Sequence, residues 1–99
     1  MNSLQFSFES EIFLWGGDSA WHFVAVPVDI ADDIEDSATL RGGFGSIKVL
    51  VTIGNTTWNT SLFPDSKQKT FILPVKKEVR RAENLTEGDR PVIYLVIMN

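Results

Sequence analysis

Apolar side chains fill the even positions Leu4, Phe6, Phe8, Ile12 and Leu14, with Gln5, Ser7, Glu9 and Glu11 between them. An extended chain points successive side chains to opposite faces, so this period of two predicts one strand with a solvated face. Gly16-Gly17-Asp18 predicts a turn, and Trp21 to Val26 a second strand stopped by Pro27. Ile30, Ile34 and Ala38 fall four apart, which predicts a helix over 29–38 with Asp29 as N-cap and Asp32 and Asp33 near its positive end. After the loop Arg41-Gly42-Gly43-Phe44-Gly45, Ile47, Val49, Val51 and Ile53 again alternate with their neighbours. Gly54-Asn55 suits a two-residue hairpin turn into a strand from about Thr56 to Phe63. A turn at Pro64–Lys67, a short strand Thr70–Pro74 and a short helix carrying Val75, Val79 and Ala82 come next. Val92 to Met98 is apolar at nearly every position, which predicts a strand buried on both faces or lying at a subunit contact.

The pattern sums to about six strands, arranged as hairpins, and two short helices. That is a mostly β domain, on the border of all-β and α+β. The natural arrangement is a small antiparallel split β-barrel capped by two short helices, with residues 1–99 forming one domain. The composition, 43% hydrophobic and 22% charged, is that of a folded globular chain and argues against disorder. With no cysteine, the fold rests on packing and not on disulfides. The N-terminal stretch has no basic leader, and no apolar run approaches the ~20 residues that span a bilayer, so a cytoplasmic protein is expected.

Charge is unevenly spread. The net value is −4, yet residues 1–45 carry −7 and residues 46–99 carry +3. The acidic total argues against non-specific binding to nucleic acid, which needs many phosphate contacts.

Little of the chain offers catalytic chemistry. His22 is the only histidine and there is no thiol. His22 shares a strand face with Val24 and Val26, while Trp21 and Phe23 point the other way, which favours a structural histidine over a general base. Zinc needs three or four nitrogen or sulfur ligands, which this composition does not supply. The acids Asp29, Asp32, Asp33, Glu35 and Asp36 lack the alternation and central glycine of a calcium loop and read as a solvated helix face. Gly42-Gly43-Phe44-Gly45 leads into a strand and not a helix, so it is a weak phosphate-loop signal.

Two features point to binding. Lys76, Lys77, Arg80 and Arg81 form i, i+4 pairs on the second helix, a cationic patch able to hold an anion unless it is only a solvated face balanced by Glu78 and Glu83. Trp58 lies among Thr56, Thr57, Asn59, Thr60 and Ser61, where it either lines a pocket or caps one end of a barrel. Trp21, among apolar residues, reads as core.

From Gly43 onward the chain resembles a known family. Gly43, Gly45, Ser46, Val49, Val51, Thr52, Ile53 and Gly54 match its first motif. Trp58, Thr60, Ser61, Leu62, Phe63 and Pro64 match the second. Leu73, Pro74, Val75, Lys76, Val79, Arg80, Ala82, Gly88 and Asp89 match the last, and Trp21 to Pro27 matches more loosely. The pattern is similar to that of the small bacterial proteins grouped as domain of unknown function DUF1905. The resemblance implies a double-split β-barrel and no established activity. Two departures stand out: Ser66–Lys69 lacks the glycine expected before the next strand, and Pro91 replaces a β-branched residue, which predicts a late start for the last strand.

The expectation is therefore a non-catalytic binding module. Trp58, Thr60, Ser61, Lys76 and Arg80 would hold a small anionic ligand or a protein segment, with no cofactor, metal or membrane involved and homodimerisation possible through the last strand. A nucleic-acid-associated regulator of split-barrel type is the alternative, and an enzyme ranks last.

Overall fold

The computed structural model describes residues 4–15, 21–38 and 41–98. Among them are seven strands: β1 (Gln5–Glu9), β2 (Phe13–Trp15), β3 (Trp21–Ala25), β4 (Ile47–Ile53), β5 (Thr56–Asp65), β6 (Thr70–Pro74) and β7 (Val92–Ile97). Two short α-helices, α1 (Val28–Ser37) and α2 (Lys77–Ala82), and a 3-10 turn at Gly43–Gly45 complete the described elements. The strands are antiparallel throughout, in the order β1-β7-β4-β5-β6-β3-β2, and the sheet curls into a half-barrel. Ten-residue β5 joins its two halves: Thr56–Leu62 pair with β4, and Phe63–Asp65 pair with β6.

The expected count of about six strands falls short by one, because the first predicted strand is two. β1 pairs with β7 and β2 pairs with β3, at opposite ends of the strand order. Residues 10–12 make the crossing with their own hydrogen bonds. Ser10 N–H donates to Pro91 O (3.3 Å), Ile12 N–H to Asp89 O (2.8 Å), and Ile12 O accepts from Gly88 N–H (2.9 Å). Ser10 Oγ donates to Ala25 O at 2.7 Å, tying the crossing to β3. The alternation is interrupted here: Phe8 and Ile12 are buried, whereas Leu14 is exposed. The turn expected at Gly16-Gly17-Asp18 lies outside the described residues.

The core is the concave face of the sheet closed by one stripe from each helix. Ile47, Val49, Val51 and Ile53 of β4 meet Ile93, Leu95 and Ile97 of β7, with Val24, Leu62 and Leu73 from the other strands. Ala31 and Ile34 of α1 and Val79 of α2 pack onto them. β7 is therefore buried on one face only, contrary to the reading of two buried faces. Val92, Tyr94 and Met98 lie exposed on the other, because both helices contribute their buried stripes to the concave side. α1 starts one residue earlier than expected. Pro27 is its N-cap and Asp29 sits in the first turn, where its charge still suits the helix dipole but caps no amide. In α2, Val79 is buried but Ala82 is exposed, since six residues give room for only one inward turn.

Two of the turns singled out in the sequence take these forms. β7 starts at Val92, just after Pro91, which has no amide N–H to donate to a ladder. In the Ser66–Lys69 turn, Lys69 takes φ 56°, a conformation that costs a side-chain-bearing residue about 1 kcal/mol. Lys69→Gly is expected to raise stability by about 0.5–1 kcal/mol, read from the midpoint of urea unfolding. A lower midpoint would mean that the lysine stem contributes more packing than its backbone costs.

Candidate functional site

The β3–β6 pairing builds a cationic cleft. Phe23 faces Pro74 and Val24 faces Leu73 across the ladder. Val75 N–H donates to His22 O (2.9 Å), which carries the pairing one step past β6 and brings Lys76 alongside Trp21. The chain then turns into α2, whose first amide bond runs from Arg80 N–H to Lys76 O (3.1 Å). The result is an open cleft of about 280 Å³ lined by Trp21 and His22 from β3, Pro74 and Val75 after β6, and Lys76, Lys77 and Arg80 around α2.

Arg80 is held in place from within. Its Nε donates to Val75 O at 3.0 Å, and its Nη1 lies 3.5 Å from His22 Nε2. A guanidinium only donates, so any hydrogen bond in this contact is one that His22 Nε2 accepts. The other ring nitrogen, Nδ1, is buried and has no hydrogen-bond partner among the described residues.

Among the described residues, the cations of the cleft have no ion-pair partner. The ion pairs among the described residues are Arg41–Glu35 (2.8 Å), Arg90–Glu9 (3.4 Å) and Arg90–Glu11 (3.6 Å), and none includes Lys76, Lys77 or Arg80. No carboxylate is among the described residues that line the cleft. Glu83, which could have balanced the helix, is engaged elsewhere: its carboxylate accepts from Thr56 Oγ1 (2.6 Å) and Asn55 N–H (3.3 Å) at the β4–β5 turn. Arg81 does not line the cleft.

The expected site residues do not converge. Trp58 is only 8% exposed and belongs to the core, opposite Val51 on the concave face. The reading of Trp58 as a pocket-lining aromatic is thus corrected: the two-residue period turns it inward while Thr57 and Asn59 face out. Thr60 and Ser61 line a separate open cleft of about 400 Å³ with Lys48, Asn59 and Met98. Only Lys76 and Arg80 meet in the cationic cleft.

The aromatic that does line this cleft is Trp21, which is 59% exposed, contrary to the expectation that it belongs to the core. The sequence held a usable signal. His22, Val24 and Val26 share one strand face, so Trp21 and Phe23 must share the other. They gather there with Phe13 and Trp15 across the hairpin.

Two weaker candidates resolve into structure. The Gly42–Gly45 turn is closed by its own bonds, Gly42 N–H to Ser46 O (2.7 Å), Gly45 N–H to Gly42 O (3.1 Å) and Ser46 N–H to Gly43 O (3.2 Å). Arg41 adds two donors to Gly45 O, Nε at 2.9 Å and Nη2 at 2.7 Å, so these amides are not presented to a phosphate. Asp32 and Glu35 of α1 border an open cleft with Asp65, whose carboxylate accepts from Lys67 N–H (3.1 Å) and Gln68 Nε2 (3.0 Å). Among the described residues no group of three or more His, Asp or Glu side chains is placed to hold a metal.

These features define a small, mostly β, antiparallel half-barrel domain with a cationic cleft beside its β2–β3 hairpin. The chain belongs to the family described as domain of unknown function (DUF1905), matched over residues 8–94. A comparison with curated proteins finds no match. No helix among the described residues is long and apolar enough to cross a membrane.

Proposed function

We propose that this domain is a non-catalytic binding module that holds a small anionic ligand in the cleft between β3 and α2. One observation carries the reading: Lys76, Lys77 and Arg80 converge on a concave surface, with no acidic side chain in its lining and no ion pair to these three cations among the described residues. Unpaired cations gathered in a cleft repel one another, and an anion relieves that repulsion while taking up their hydrogen-bond donors. Arg80, braced on the Val75 carbonyl, is already oriented for the task. The half-barrel is read as a relative of the split-barrel architectures, a reading supported by the long β5 shared between its two sets of hairpins.

The test is a calorimetric titration with inorganic phosphate at low ionic strength. Wild-type protein is expected to bind, and the double variant Lys76→Ala/Lys77→Ala to bind at least about tenfold more weakly, since charge-assisted contacts are worth about 1.5–3 kcal/mol each. Both lysines are exposed, so unfolding stability should stay within about 0.5 kcal/mol. Equal affinity in the two proteins would remove the cleft as the anion site.

A further inference from the structure

The anion site leaves the large exposed indole beside it without a role. We infer that the ligand is a purine nucleoside monophosphate, its phosphate held by Lys76, Lys77 and Arg80 and its base lying on Trp21. This assignment rests on the anion-binding reading of the same cleft and adds the class of ligand.

The phosphate half follows from charge. A phosphomonoester carries about −1.5 to −2 at neutral pH and three strong acceptor oxygens, against about −1 and two oxygens for a carboxylate. Three cationic side chains with no acid among the described lining residues match the former better. Arg80 spends one donor on Val75 O and turns another toward His22, which leaves others of its five N–H groups for a ligand.

The base half follows from the support behind Trp21. The Phe23 ring runs nearly parallel to the indole, at 16° and 6.4 Å between centroids. Phe23 is itself braced by Trp15 edge-on (5.7 Å, 65°) and by Phe13 (6.1 Å, 34°). The indole is thus held by a four-ring cluster yet remains 59% exposed, so stacking a second flat ring on it requires little further loss of side-chain freedom. Pro74 adds an apolar wall. A two-ring base overlaps an indole more fully than a single phenyl ring does.

Size and charge limit the ligand to a monomer. A cleft of about 280 Å³ is at the small end of ligand sites. The chain as a whole carries −4, which disfavours a long polyanion tracking across its surface.

The probes are adenosine 5′-monophosphate, phenyl phosphate, inorganic phosphate and a short 5′-phosphorylated single-stranded oligonucleotide, titrated calorimetrically under one buffer. The mononucleotide is expected to bind about tenfold tighter than inorganic phosphate, the size of one base–aromatic stack. Trp21→Ala should bring the mononucleotide down to the phosphate level while leaving phosphate itself unchanged. Trp21→Phe should keep part of the gain, and Lys76→Ala/Lys77→Ala should weaken both ligands. Amide NMR spectra of each variant confirm that the fold is kept. The assignment of a nucleoside is overturned, with the anion site intact, if mononucleotide and phosphate bind alike, if phenyl phosphate matches the mononucleotide, or if Trp21→Ala changes nothing. Tighter binding of the oligonucleotide overturns the free mononucleotide in favour of a strand end. If neither phosphate nor mononucleotide binds the wild-type protein, the anion site itself is overturned, and this assignment with it.

Discussion

Trp58→Ala is expected to lower unfolding stability by about 3–5 kcal/mol and to leave phosphate affinity of the folded protein unchanged. Trp58 is 8% exposed and packs in the same cluster as Val51, Leu62 and Val79, so truncation removes a large apolar surface and leaves a cavity that the β4–β5 pairing cannot close. Stability of a domain this size is about 5–15 kcal/mol, so the loss is a large share of the total. Urea unfolding gives the first quantity. Calorimetric titration with phosphate, run where the variant is still folded, gives the second. A variant that keeps its stability but loses phosphate would return Trp58 to a binding role and contradict its placement in the core.

Ile12→Ala is expected to cost about 2–5 kcal/mol, whereas Leu14→Ala costs less than about 1 kcal/mol. In the sequence the two residues belong to one stripe of even positions. In the structure Ile12 is 0% exposed, and its backbone holds Asp89 and Gly88 from both sides, while Leu14 is 43% exposed on the short β2 strand. Truncating Ile12 opens a cavity where the chain passes from one edge of the sheet to the other. Truncating Leu14 removes a partly wetted side chain. The two unfolding midpoints, measured side by side, decide the matter. Equal losses would mean that β1 and β2 act as one strand with a common buried face.

Much of the fold was legible because the local patterns agree with the global result. Ile47, Val49, Val51 and Ile53 do line one buried face, Gly54-Asn55 does make the hairpin turn with Gly54 at φ +58, and the last strand does begin at Val92. The site was legible only in part. The i, i+4 spacing places Lys76 and Arg80 together, but it says nothing of the strand they face. The sequence misplaces Trp58 because its adjacent polar residues, Thr57 and Asn59, describe the outer face of β5, while Trp58 itself turns inward. Trp21 is misplaced for the opposite reason: Val24 and Val26 lie on the inner face and do not describe the surroundings of Trp21.

The sequence by itself determined the antiparallel, mostly β character, the near positions of the turns, the two helices and the pairing of cations around α2. Each of these depends on side chains a few residues apart, and a period of two or four, a glycine or a proline is enough to encode it. Tertiary structure alone decided that the first apolar stripe divides at Ser10–Ile12, because that break is made by bonds to Ala25 and to residues 88–91, far along the chain. It decided likewise that Trp21, and not Trp58, stands beside Lys76 and Arg80. That juxtaposition comes from the register of β3 on β6, and register is a property of two strands whose contact no local pattern records.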